Sequence, residues 1–224
     1  MIKSALASVV IMICVTGMSC KETPKTWTKK AAHALQSKNY EESIRCYKKT
    51  ITLDPNNLNA HYCLGRLYQN EGKLDDAISE YKKAIAIDPE IRGFYYYLGE
   101  VYVAQGRINE ALPQFQKALD RDSDFAAAHY TIGIAYKQLS KNTAAAKHLY
   151  EAGLLAFIQG DNTIALNAYR ALEEIGPERI VQELHEMLEP LLEDEAKGVN
   201  GLHDREGIHQ GACTRGGRLP TPFS

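Results

Sequence analysis

The sequence predicts an all-α solenoid of about five antiparallel helical hairpins, and three observations lead there. Similar blocks recur every 34 residues. Within each block, small and large apolar residues fall at helical spacing, first at i, i+1, i+4 and then at i, i+4, i+7. Glycine or Asp-Pro punctuates the joins between the apolar stripes. A unit of this size cannot bury its apolar face alone, so neighbours must stack and share a continuous core.

The register is read from "NAHYCLGRLYQNEGKLDDAISEYKKAIAIDP" (59–89) against "GFYYYLGEVYVAQGRINEALPQFQKALDRDS" (93–123). Leu64-Gly65 lies over Leu98-Gly99, Tyr68 over Tyr102, and Gly72 over Gly106. Ala77 lies over Ala111, Tyr81 over Phe115, and Ala84 over Ala118. The preceding block supplies Trp27, Ala31, Ser43, Tyr47, Thr50 and Pro55; the following one supplies Ile132-Gly133, Tyr136, Ser140, Ala145, Leu149 and Ala152.

Each offset has a physical reason. Gly65 is small where a second helix approaches. Gly72 and Gly106 suit the left-handed residue that ends a helix. Glu41-Glu42, Asp75-Asp76 and Asn109-Glu110 put acids in the first turn of the helix that follows, where its dipole favours them. "DPNN" at 54 and "DPE" at 88 stop one helix and start the next.

Past residue 140 the beat breaks. "NTAAAKHLYEAGLLAFIQGD" (142–161) fits a second helix through Ala145, Leu149 and Ala152. It fits a first helix through Leu149, Gly153, Ala156 and Gly160 as well. Simple continuation gives helices near 125–139, 142–158, 161–175 and 178–193, ten in all. The last, "PERIVQELHEMLEPLLEDEA", has an apolar stripe and a charged side, as an end cap should.

These residues make the chain resemble the tetratricopeptide repeat (TPR) over about 24–157, with a degenerate continuation towards 193. The resemblance implies a right-handed superhelix whose concave groove is lined by the first helix of each hairpin. Among the four adjacent aromatics of 94–97, Tyr95 shares the inward face with Leu98, Gly99 and Tyr102, while Tyr96 turns to the groove. Tyr62 and Tyr130 sit at the same phase one block earlier and later. The expected partner-binding groove is therefore Asn59, Tyr62, Arg66 and Gln69, then Tyr96, Glu100 and Val103, then Tyr130, Ile134 and Lys137. Its three rings are either a recognition ladder or cover for small residues on the neighbouring helix. The Lys and Asn pattern of the TPR domains that clamp chaperone carboxylates is missing, as Thr28, Ala32, Tyr62, Arg66, Tyr96 and Glu100 stand at those positions. The asparagine ladder of the sugar-transferase members is missing too.

The N-terminus combines Lys3, the apolar run "ALASVVIMICVTGMS" and Cys20, the layout of an export signal. "GMSC" (17–20) resembles a bacterial lipobox, with Gly17 where a branched aliphatic is usual, and this implies lipidation at Cys20. Gly17 and Ser19 also suit an ordinary signal peptidase, and an uncut anchor is the third route. The expected layout is a signal at 1–19, a tether at 20–24, the solenoid with its capping helix at 25–193, and a disordered tail at 194–224. Cys46 and Cys63 are either small buried residues or an oxidised pair.

A net charge of -2 and a pI near 6.4 argue against a nucleic-acid partner. His61 and His129 share one repeat position and read as architecture. His33, His148 and His185 have no ligand at metal spacing, and His203, His209 and Cys213 fall in the tail. No phosphate-cradling loop occurs. We expect no enzyme, no cofactor, no metal and no small-molecule substrate.

The resemblance implies an exported, membrane-tethered adaptor that binds protein or peptide segments in envelope assembly. It is similar to the lipoproteins that serve as pilotins for secretin pores or as docking platforms for cell-wall enzymes. Lys21 after the cysteine favours the outer membrane, facing the periplasm; a soluble periplasmic or secreted form is the alternative. The rival reading is a permanent structural subunit that does not use its groove for capture.

Overall fold

The computed structural model describes residues 22–196. The expected signal, Cys20, and the tail beyond 196 lie outside them. The described residues form ten helices and no strand: α1 (Pro24–Gln36), α2 (Tyr40–Leu53), α3 (Leu58–Asn70), α4 (Leu74–Ile87), α5 (Arg92–Ala104), α6 (Ile108–Arg121), α7 (Ala126–Gln138), α8 (Asn142–Gln159), α9 (Asn162–Glu173) and α10 (Glu178–Ala196). α10 runs past residue 193, so positions 194–196, assigned to the tail from sequence, continue the capping helix. None of these helices is long and apolar enough to cross a membrane.

Local chemistry sets the helix starts. Thr23 and Thr26 form a reciprocal capping box on α1. Asn39, Asn57 and Asp161 accept from the backbone N–H groups of Glu42, Ala60 and Ile164 at 3.2, 3.1 and 3.0 Å, satisfying donors that the first turn leaves open. The helix ends repeat with the 34-residue beat. Lys38, Gly72, Gly106 and Ser140 all take positive φ, at 55, 72, 74 and 57°. Lys38 and Ser140 hold this conformation at a cost of about 1 kcal/mol each, so the turn geometry is imposed by hairpin closure and glycine only eases it.

Close approach of paired helices has one recurring device. A Cβ added to Gly65 would lie 2.9 Å from the Tyr81 ring; one on Gly99 would lie 2.5 Å from Phe115; one on Gly133 would lie 2.7 Å from Leu149. Each glycine admits the large residue sixteen positions later. Tyr81, Phe115 and Leu149 are consequently fully buried between the two helices of their hairpins.

The hairpins α1–α2, α3–α4, α5–α6 and α7–α8 stack in chain order. α8 then forms a second close pair with α9, and α10 lies across both α9 and α8. Both readings of 142–161 thus hold at once, because an 18-residue helix has two faces. Leu149 packs on Gly133, Gly153 admits Leu184 of α10, and Gly160 closes the helix at φ 76°. The interior falls into two apolar clusters that meet at α7: one from Ala31 to Ile132, the other from Ala126 to Leu188. Cys46 is a buried free thiol, so the oxidised Cys46–Cys63 pair does not form.

Candidate functional site

The odd-numbered helices α3, α5 and α7 meet across successive hairpins and present the residues expected to line the groove. The tyrosine ladder is not three equivalent open rings. Tyr62 is only 4% exposed; Phe94 and Tyr97 of the next hairpin lie over it, with ring centroids 5.8 and 5.4 Å away. Burial pushes its phenol far above the ordinary range. The expectation that Tyr62 belongs to the recognition surface is therefore corrected: its phase is right, but the aromatic pair of the following hairpin seals it.

Tyr96 is half-buried. Its ring leans on Tyr97, Phe115 and Phe125 at 5.7, 5.7 and 5.1 Å, and its hydroxyl lies 3.4 Å from that of Thr131 on α7. Tyr130 is half-buried against the second apolar cluster. Both rings join one hairpin to the next and offer at most an edge to the groove. Phe94 and Tyr97 pack between hairpins, and Tyr95 turns inward with Leu98 and Tyr102.

The polar groove positions are half-buried around those rings. The Arg66 guanidinium sits 5.0 Å from the centroid of Tyr97, a cation–π distance. Burial disfavours its charge, yet the phenols of Tyr62, Tyr81 and Tyr97 and the Glu100 carboxylate more than offset this and raise its pKa. The Gln69 side-chain carbonyl accepts a 2.9 Å hydrogen bond from the Tyr81 hydroxyl. Lys137 donates to Glu174 at 2.5 Å, linking the ends of α7 and α9. Asn59 is half-buried, while Val103 and Ile134 are half-buried against the two apolar clusters. Arg66, Glu100, Val103 and Ile134 are thus all half-buried on the groove-side helices, a mixture of charged and apolar side chains of the kind that contacts an extended or helical segment.

His61, His129, His148 and His185 fill structural positions that sequence reasoning located but could not partner. His61 Nδ1 is 2.6 Å from Glu80 and its Nε2 2.9 Å from the Pro55 carbonyl. His129 Nδ1 is 3.2 Å from His148 Nδ1, and its Nε2 reaches the Ser123 carbonyl. Burial lowers the His148 pKa to about 4, helped by His129, so His148 is neutral near neutral pH. His185 Nδ1 meets the Tyr169 hydroxyl at 2.8 Å. Among the described residues no three His, Cys, Asp or Glu side chains gather as metal ligands.

The TPR repeat family profile matches residues 35–72, 65–106 and 99–140. No curated protein matches the chain. Solved structures share its architecture. A MamA protein is 23% identical with a TM-score of 0.66, covering 82% of this chain and 99% of its own. A MamA fragment from Desulfovibrio magneticus RS-1 is 18% identical with a TM-score of 0.64, over 79% of this chain and 97% of its own. PilF of Pseudomonas aeruginosa is 20% identical with a TM-score of 0.61, over 84% and 81%. At such identities the likeness is one of fold. Residues 35–140 match the TPR repeat profile, and they make up the larger part of the all-helical solenoid formed by the described residues.

Proposed function

We propose that the chain is an exported adaptor, tethered to a membrane through Cys20, that captures a segment of another envelope protein in the groove of α3, α5 and α7. TPR proteins bind protein or peptide partners. The observation that carries the reading is the half-buried Arg66 guanidinium stacked over the Tyr97 ring, a cation positioned by an aromatic side chain on the groove side. The lipobox-like "GMSC" supports the tether. Affinity for one segment is on the order of micromolar, because a single groove buries a small interface. Membrane confinement then raises the effective concentration.

The test is affinity capture from solubilised envelopes with the native chain and with an Arg66→Gln, Glu100→Gln, Ile134→Ser variant. These positions are half-buried on the groove side, so capture is compared at a temperature where melting curves show both proteins folded, and it should fall about 10- to 30-fold. Tyr62→Ala is unsuitable, since an interior ring confounds binding with folding. The second reading, a fixed subunit docking through its outer surface, draws on Ile158, 71% exposed at the end of α8. Capture that survives the groove variant but is lost on Ile158→Ser would establish it in place of the adaptor.

A further inference from the structure

We propose that the outward face of the first hairpin is a docking surface for an anionic lipid bilayer, so that the rod stands on its basic end. The proposal rests on the membrane-tethered reading, but its charges lie away from the groove. Helix α1 reads "PKTWTKKAAHALQ", with Lys25, Lys29 and Lys30 exposed and no acidic residue. Lys25, Lys29 and His33 are spaced one turn apart on the outer stripe, while Ala31, Ala34 and Leu35 face the core. Lys29, Lys30 and His33 also rim a shallow recess of about 500 Å³. The one carboxylate at that rim, Glu42, is held by the Arg45 guanidinium at 2.7 and 2.8 Å. Lys48 and Lys49 of α2 add two further exposed cations to the hairpin.

The far end of the rod has the opposite sign. α10 carries seven carboxylates against the single cation Arg179. An anionic surface therefore attracts one end and repels the other, which orients the rod as well as binding it. Sequence separation agrees with this: Lys25 lies five positions after Cys20, a reach of at most about 18 Å. A lipid at Cys20 holds the lysines near the charged surface, where its field is felt within roughly 8 Å at physiological salt. Each lysine brought there contributes about 5-fold in partitioning.

The experiment uses the full chain carrying Cys20→Ser, so that no lipid is attached, sedimented with vesicles of phosphatidylcholine alone or with about a third phosphatidylglycerol. Apolar partitioning is common to both vesicles, and the excess on the anionic ones reports the charges. We expect that excess to fall about 100-fold in Lys25→Gln, Lys29→Gln, Lys30→Gln, to vanish at high salt, and to persist in Glu183→Gln, Glu186→Gln. All three lysines are exposed, so a melting curve should show the fold unchanged. Equal binding to both vesicles, or an excess that the triple variant does not move, overturns the proposal. So does retention on polyglutamate without any vesicle excess, which reassigns the face to an acidic protein. The tether itself is read separately, as loss of membrane association in cells on Cys20→Ser, so the two failures are distinguishable.

Discussion

At the scale of single residues, a repeat position states direction better than depth. The 34-residue phase of Tyr62, Tyr96 and Tyr130 was legible, and so was the division of the four aromatics among different surfaces. What covers each ring was not, because cover comes from the next hairpin's own side chains. Phe94 and Tyr97 close over Tyr62, whereas no aromatic pair occupies the matching positions after Tyr96; Ala128 and Thr131 stand there. His61 shows the same limit. Its recurrence at His129 marked it as architecture, yet its partners differ: Glu80 and Pro55 for His61, His148 and Ser123 for His129. The hydrogen bond that His61 donates to Glu80 raises the His61 pKa above its ordinary 6.5, outweighing burial, with the Pro55 carbonyl adding to it and Lys83 opposing. Burial pushes the Glu80 carboxyl up, but His61 and Lys83 outweigh that and hold it below its ordinary value. Stabilisation by His61 is therefore complete below its unfolded pKa and is lost as pH rises through the folded one. Glu80 acts oppositely, losing its contribution as pH falls through its own lowered value. Stability should peak between the two titrations and decline as pH rises above about 6.5 through the raised His61 value. Thermal melts of His61→Gln should show a flatter alkaline limb, and an unchanged slope would refute the assignment.

At the scale of elements, the sequence located the helices to within a few residues because glycine, Asp-Pro and the apolar stripes fix their ends independently. It also showed that 142–161 fits two roles. Both roles are filled, since a packed helix has more than one usable face, whereas sequence spacing treats it as belonging to a single hairpin. The glycines give the sharper test. Gly99→Ala removes a flexible residue from a helix interior, which alone would stabilise by about 1 kcal/mol. The new Cβ, however, would sit 2.5 Å from a ring atom of Phe115, which is fully buried and cannot swing away. Overpacking of this kind costs about 1–3 kcal/mol, so the clash wins. The variant should melt at lower temperature, and Gly99→Ala with Phe115→Leu should recover part of the loss. A Gly99→Ala protein more stable than the parent would show that α5 and α6 are not held as closely as the geometry implies.

At the scale of the whole molecule, a solenoid joins each hairpin only to its neighbours, so damage need not spread along the rod. Here the division has a definite place. One apolar cluster ends and the other begins on α7, whose Ile132 belongs to the first and whose Ala126 belongs to the second. Beyond it, α8, α9 and α10 are bound together by the shared helix and by Leu172, Leu184 and Leu188, all fully buried. Truncating Leu172 to Ala deletes apolar contacts and leaves a cavity, at a cost of about 2–5 kcal/mol. That loss belongs to the second cluster, while the contacts of α2 to α5 lie entirely in the first. Amide hydrogen exchange should therefore speed up markedly across 142–196 in Leu172→Ala and stay near the native rate across 40–104. Equal acceleration over both stretches would mean that the rod opens as a single cooperative unit, in which case α7 transmits stability between the clusters instead of marking where they part.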